Sequence, residues 1–307
     1  MGSSFLWLSL CFCNLFLAAS PARGMVTPPT FQIVTSLTSF DSANVSSWSG
    51  GGGARRQIAL DSMHPFAGRE FGGSDRSNLR GSRAFGSGYP YGASSTDSIA
   101  GRPFPYGVWP IYWGGNFMGS EEYGPHLDSI RPGGQLVLHE IKGSTERWNV
   151  TDDETYYMLC DRETAFAIMT SFVTWCDALP VWPVVFNITG AGVGEGRAGN
   201  ITVDVSNVVR YYRASSFAFL FRGYNNTKAK TPNSGATDAD SDPLPDLVTY
   251  SLFRKCLSGV IENALPIVDR IPQKSKTGMI IGIVFGVVIG LGLLCFCSMG
   301  KRRSPNY

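Results

Sequence analysis

Few residues of this chain stand where chemistry could be built on them. His139-Glu140 opens the pattern H-E-x-x-H, in which two imidazoles hold zinc and the glutamate activates water, but Gly143 occupies the second ligand position. His64, His126 and His139 are the only histidines, and no Cys or carboxylate cluster flanks them at metal spacing. Gly194-Glu195-Gly196-Arg197-Ala198-Gly199 matches G-x-G-x-x-G. A dinucleotide needs a helix to begin there, and a β-type run follows instead, so the segment reads as a loop. Asp152-Asp153-Glu154 could supply paired carboxylates for glycoside hydrolysis, though adjacent acids near a turn are usually solvated. Asp238, Asp240 and Asp242 imitate a calcium loop, but Pro243 replaces its glycine and Thr249 its final glutamate. No serine sits in G-x-S-x-G. No catalytic, cofactor or metal-binding set is therefore expected.

Cysteines and sequons say more. Seven cysteines divide into Cys11 and Cys13 in an N-terminal apolar run, Cys295 and Cys297 in a C-terminal one, and Cys160, Cys176 and Cys256 between. Three internal thiols allow one bridge and leave one over. If residues 161–178 are helical, Cys160 and Cys176 lie about 24 Å apart, beyond the ~7 Å limit for a bridge. Any disulfide should then use Cys256, and Cys176–Cys256 is preferred because both would lie on helices that pack together. Asn44, Asn149, Asn187, Asn200 and Asn225 each open an Asn-x-Ser/Thr triplet without proline, all between the two apolar ends. That placement suits glycosylation of a lumenal region.

The ends set the expected topology. Residues 5–19 are apolar apart from Ser9 and Asn14, with small residues after them, so residues 1–24 read as a signal peptide. An uncleaved anchor is the alternative, but about 15 residues are short for a bilayer core of roughly 30 Å. The myristoylation pattern fails at Leu6. Gly278–Met299 is an uncharged run, and at ~1.5 Å per residue it reaches about 33 Å, enough to cross a membrane as a helix. Lys301-Arg302-Arg303 follow, as a cytosolic tail at 300–307 requires. A lipid-anchor signal is the alternative, although such signals end without a basic tract. Gly278, Gly282, Gly286 and Gly290 form a slowly winding groove that suits a transmembrane dimer or partner helix, or reflect only the abundance of Gly in membrane helices. Cys295 and Cys297 near the cytosolic face are palmitoylation candidates or apolar filler.

The outer region must position anything functional. Residues 25–49 are rich in Ser, Thr and Pro, and residues 50–124 hold 17 of the chain's 36 glycines. So much backbone freedom argues for a largely disordered tract over 25–125. Within it Arg69-Glu70-Phe71-Gly72, Arg83-Ala84-Phe85-Gly86 and Arg102-Pro103-Phe104-Pro105 repeat Arg-x-Phe, either as an adhesive tract that stacks guanidinium on aromatic faces or as drift in composition. Residues 126–227 change to a packed pattern. Strands are expected at 135–141, 155–159, 184–188, 201–205 and 216–221, and a helix capped by Asp161 runs to about Leu179, before Pro180. Ser206 suits the cap of a short helix through Arg213. Residues 228–246 read as a polar linker, and 247–277 as an amphipathic helix with a juxtamembrane segment.

The runs Arg102-Pro-Phe-Pro-Tyr-Gly-Val-Trp-Pro-Ile-Tyr-Trp113 and Val209-Arg-Tyr-Tyr-Arg-Ala-Ser-Ser-Phe-Ala218 resemble uncharacterised single-pass membrane proteins of mushroom-forming fungi, over about residues 80–230. That group has no known activity, so the resemblance implies none.

The expected fold is α+β: a small mixed α/β lumenal domain preceded by a disordered Gly/aromatic-rich segment and followed by one transmembrane helix. The expected function is a type I single-pass glycoprotein of the plasma or secretory-pathway membrane, non-enzymatic, binding a cell-wall glycan or surface protein. The alternatives are an ectoenzyme on extracellular glycan or peptide, and a small partner subunit of a membrane complex. The lipid bilayer is a partner in every case. A net charge of +2 implies no nucleic-acid partner.

Overall fold

A computed structural model describes residues 37–38, 43–61, 63–90, 99–117, 119–189, 193–230 and 237–269. The expected leader at 1–24, the apolar run with Gly278, Gly282, Gly286, Gly290, Cys295 and Cys297, and the expected tail at 300–307 lie outside them. Among the described residues no helix is long and apolar enough to cross a membrane. The described residues form a mixed α/β architecture, with sheets and four α-helices.

Short N-terminal strands come first: β1 (Leu37–Thr38), β2 (Asn44–Ser46), β3 (Arg56–Gln57) and β4 (Glu70–Phe71). The centre follows with β5 (Leu136–Gly143), α1 (Thr145–Trp148), β6 (Tyr156–Asp161), α2 (Arg162–Cys176), β7 (Ala178–Leu179) and β8 (Val184–Val185). A second small sheet uses β9 (Asn187–Ile188), β10 (Glu195–Ala198) and β11 (Ile201–Asp204). Then come β12 (Val208–Tyr212), β13 (Phe217–Phe221), α3 (Asp246–Tyr250), α4 (Leu252–Ala264) and β14 (Ile267–Val268).

The main sheet runs β12-β13-β6-β5, with β7 and β8 both pairing β5, and every pair is antiparallel. Its strands read as unbroken apolar runs because both faces are covered. On one face Val137, Ile141, Met158, Phe217 and Phe219 meet Ile168 and Phe172 of α2 and Leu257 and Ile261 of α4. On the other, Leu138, Leu159, Ala218 and Leu220 meet Phe71, Phe85, Phe104, Trp109, Trp113 and Tyr123.

That second cover overturns the expectation of a disordered tract over 25–125 for its described residues. The described residues between 43 and 125 form a layer with little regular structure, tied down by turns and by buried aromatics. Each such aromatic withdraws about 150–250 Å² from water, which offsets the entropy of a glycine-rich backbone. The Arg-x-Phe repeats are neither adhesive nor drift, since Phe71, Phe85 and Phe104 are core residues. The first and third repeats bond to each other, through the Phe104 amide to the Glu70 carbonyl and the Gly72 amide to the Phe104 carbonyl, both 2.9 Å. The Arg69 guanidinium lies over the rings of Phe66 and Phe104, and pairs with Glu122.

The domain also extends past the expected boundary at 227. Asp238 pairs with Arg83 and Arg210, and the Asp242 carboxylate accepts from the Thr227 amide and hydroxyl, so 237–242 is a docked strap rather than a free linker. β14 pairs β2, which ties the C-terminal end of the described chain to its N-terminal layer. The helix expected after Ser206 is absent. A single 3-10 turn at Val205–Asn207, capped by Asp204, leads into β12, because Val208-Val209-Arg-Tyr-Tyr212 is β-branched and aromatic.

α2 shows why a local reading succeeds where a helix is amphipathic. The Asp161 carboxylate accepts from the Thr164 amide at 2.9 Å. Ala165, Ile168, Met169, Phe172 and Cys176 are buried at helical spacing. The helix ends at Asp177, in a left-handed conformation whose amide reaches the Phe172 carbonyl.

Candidate functional site

The residues that could carry chemistry are mostly engaged in holding the fold. Arg213 and Asp161 form an ion pair at 2.7 Å with both side chains fully buried. The same guanidinium donates to Ser216 Oγ at 2.7 Å, Thr164 Oγ1 at 3.1 Å and the Pro266 carbonyl at 2.9 Å. Four elements thus meet at one cation: β6, α2, the β12–β13 turn and the C-terminal segment, and the loop at Gly133 packs on the Asp161 carboxylate. Gly133 has φ +82°, and a Cβ there would overlap the Asp161 carboxylate. Arg213, Ala214 and Ser215 all have positive φ, which turns the chain tightly enough to aim the guanidinium inward. Arg131 is buried nearby and donates to the carbonyls of Trp109 at 2.7 Å and Pro110 at 3.0 Å. Burial pulls its pKa down to about 10, so it is still a cation at neutral pH. No motif marked either arginine. Their partners come from distant segments, and a lone Arg between two strands carries no spacing signal.

The weighed motifs resolve into structural parts. Asp152 and Asp153 are exposed, while Glu154 is buried and accepts from the hydroxyls of Tyr156, at 3.0 Å, and Ser251, the cap of α4. The G-x-G-x-x-G segment is the β10 strand and its turn into β11. Its middle glycine, Gly196, lies against the Phe186 ring, where a Cβ would not fit. His139 lies in β5, 1% exposed. Desolvation pulls its pKa below the ordinary 6.5, an effect that the Val181 backbone partly opposes.

This fixes the sign of one pH effect. A depressed native pKa means that below pH 6.5 the unfolded chain takes up a proton the folded ring refuses. His139 therefore adds to stability above 6.5 and withdraws that contribution as pH falls toward the native value. Urea midpoints measured at pH 7.5 and 5.5 should differ less in His139→Gln than in the parent chain. Equal differences would remove His139 as a source of acid sensitivity.

Cys176 and Cys256 are bridged, with Cα atoms 5.8 Å apart, and fasten the C-terminus of α2 to the first turns of α4. Cys160 is a buried free thiol, its pKa pushed well above the usual range by burial. A thiolate is disfavoured there, and with it the reactivity of a catalytic cysteine.

What is exposed has a different character. Ser144, Glu146, Arg147, Val173, Asp177 and Leu179 line a shallow open depression of about 530 Å³. It forms because the Ser144 amide bonds the Asp177 carbonyl at 3.1 Å and Gly143 pairs Ala178, drawing α1 beside the end of α2. Arg147 and Asp177 pair within it, both about half exposed. Beyond Leu179 the surface turns apolar: Phe166 and Trp182 meet edge to face at 5.9 Å, with Val184 and Val185 alongside in sequence. The sequence placed Val173 and Leu179 on the expected helix and Val184 and Val185 in an expected strand, but nothing in it joined them into one surface, which the β5–β7 and β5–β8 pairings help to assemble.

Asn149, Asn187, Asn200 and Asn225 are exposed, at the end of α1, on β9, in the β10–β11 turn and after β13. Asn44 lies on β2, paired with Thr38. Among the described residues no group of three or more His, Cys, Asp or Glu side chains is placed to hold a metal ion. No family model, curated protein or solved structure matches the chain.

Proposed function

We propose that the chain is a type I single-pass membrane glycoprotein whose outer domain binds a cell-wall glycan or surface protein without transforming it. The observation that carries this reading is the depression beside α1. It is open and shallow, with an ion pair, a carboxylate and a hydroxyl opposite an apolar wall, which suits reversible recognition of a polar surface. The candidate acids and bases in the interior are by contrast consumed by structural bonds, as at Asp161, Glu154 and Arg213. The terminal apolar runs and the five sequons support the topology.

The test is capture by full-length protein, held in lipid nanodiscs, on arrays of cell-wall polysaccharides and surface proteins. The Arg147→Ala/Asp177→Ala variant should weaken specific capture about tenfold, equivalent to ~1.4 kcal/mol. Unchanged capture would move recognition elsewhere on the domain. Release of a cleaved product would replace this reading with that of an ectoenzyme.

A further inference from the structure

An exposed asparagine meets only part of what a glycan acceptor needs. The transferase also recognises the hydroxyl two residues further on, which is why the triplet ends in Ser or Thr. In three of the five sequons that hydroxyl is bonded to a carboxylate. Ser46 Oγ, in a side chain 2% exposed, donates to Asp269. Thr189 Oγ1 donates to Glu195 at 3.0 Å. Thr227 Oγ1 donates to Asp242 at 2.6 Å, and the Thr227 amide donates to the same oxygen at 2.6 Å. Those two bonds hold the Asp242 carboxyl below the ordinary carboxylate range. A hydroxyl has a single proton to give, and a bond to a charged oxygen is about twice as strong as a neutral one.

The other sequons differ. Thr151 and Thr202 are exposed, and among the described residues neither side chain bonds to another group. Asn149 follows α1 in a left-handed conformation, with φ 49°, and Asn200 occupies the tight turn between β10 and β11. Both stand at bends, where a chain can enter the cleft of another protein. Asn44 and Asn187 lie instead in paired strands, β2 between β1 and β14, and β9 beside β10.

We infer that folding sorts the sequons: Asn149 and Asn200 stay open to glycan transfer, while Asn44, Asn187 and Asn225 are closed by the bonds from Ser46, Thr189 and Thr227 to Asp269, Glu195 and Asp242. The inference rests on the glycoprotein reading proposed above, which brings the chain to a lumenal transferase. Transfer joins the Asn side-chain nitrogen to the anomeric carbon of a lipid-linked oligosaccharide. The nitrogen gives up one proton, and the lipid diphosphate leaves with the electron pair of its bond to the sugar. The closures come at different times during synthesis. Glu195 follows Thr189 by 6 residues, whereas Asp269 follows Ser46 by 223, so Asn44 cannot close until the end of the domain has been made.

The experiment uses the full chain, made in a host without N-glycosylation, with the Cys176–Cys256 bridge formed, and held in detergent. It is incubated with purified oligosaccharyltransferase and a lipid-linked oligosaccharide, and each sequon is followed by peptide mass spectrometry. Asn149 and Asn200 should be modified at least about tenfold faster than Asn44, Asn187 and Asn225. In unfolded, reduced chain the rates should converge. Glu195→Ala should speed Asn187 and Asp242→Ala should speed Asn225, each by about tenfold. Asn44 should stay slow in both variants, which reports that β2 and β14 are still paired. If a variant unfolds and Asn44 speeds up with it, the comparison of folded with unfolded parent chain decides. The inference is overturned by even modification of the folded chain, by Asn149 or Asn200 among the slow sites, or by folded variants in which Asn187 and Asn225 stay closed. Bare sequons throughout a chain from a glycosylating host, beside ready transfer to Asn149 and Asn200 in vitro, would remove the glycoprotein reading and leave the sorting in place.

Discussion

Replacing Arg213 with methionine should lower the unfolding free energy by about 3–5 kcal/mol, the cost of stripping one partner from a buried ion pair. Asp161 would be left fully buried without its partner, and Thr164, Ser216 and the Pro266 carbonyl would each lose a donor. For a folded region of this size the thermal midpoint should fall by about 6–20 °C, read by calorimetry. A cycle with Asp161→Asn separates charge from packing. The asparagine keeps an oxygen for the Thr164 amide, so the α2 cap survives while the charge goes. The double variant should lose less than the two singles together, by about 0.5–3 kcal/mol. Strict additivity would mean that the two side chains stabilise the fold independently, and the hub described above would be dismissed.

Breaking the Cys176–Cys256 bridge should have a comparable effect. It spans a sequence separation of 80 residues. Chain entropy alone assigns a loop of that size about 4–5 kcal/mol. Cys256→Ser should therefore melt well below the parent chain under oxidising conditions. Reductant should bring the parent down to the variant and leave the variant unmoved. Cys160 cannot rescue the bridge, since it is buried and sits at the other end of α2 from Cys176. If the variant melted with the parent, α2 and α4 would be held by their apolar faces alone.

The contrast between what the residues disclosed and what they hid follows from how each element is stabilised. α2 and β13 were readable because their signals are local: Asp161 ahead of an amphipathic run, and five consecutive apolar residues at Phe217–Phe221. β12 reads as helix from the sequence because Ser206 looks like a cap, whereas Asp204, two residues earlier, fills that role and Tyr211 and Tyr212 pack on opposite faces of the sheet. The aromatic layer was hidden for another reason. Glycine content measures what folding costs the backbone, and nothing local says that Trp109, Trp113 and Phe104 will find a sheet face that lacks any other cover. The depression was invisible because Ser144 and Asp177 are far apart in the chain and meet by one backbone hydrogen bond.

The pairing of β14 with β2 has a mechanical meaning. Tension on whatever follows Asp269 loads a two-residue strand first, then the carbonyls of Leu265 and Pro266, gripped by Arg76 at 2.9 Å and Arg213 at 2.9 Å. Once these let go, α4 can unravel only as far as Cys256, where the covalent link to α2 halts the pull. Residues 257–269 reach at most about 45 Å when extended at ~3.4 Å each, so the domain would yield by a bounded length and then hold.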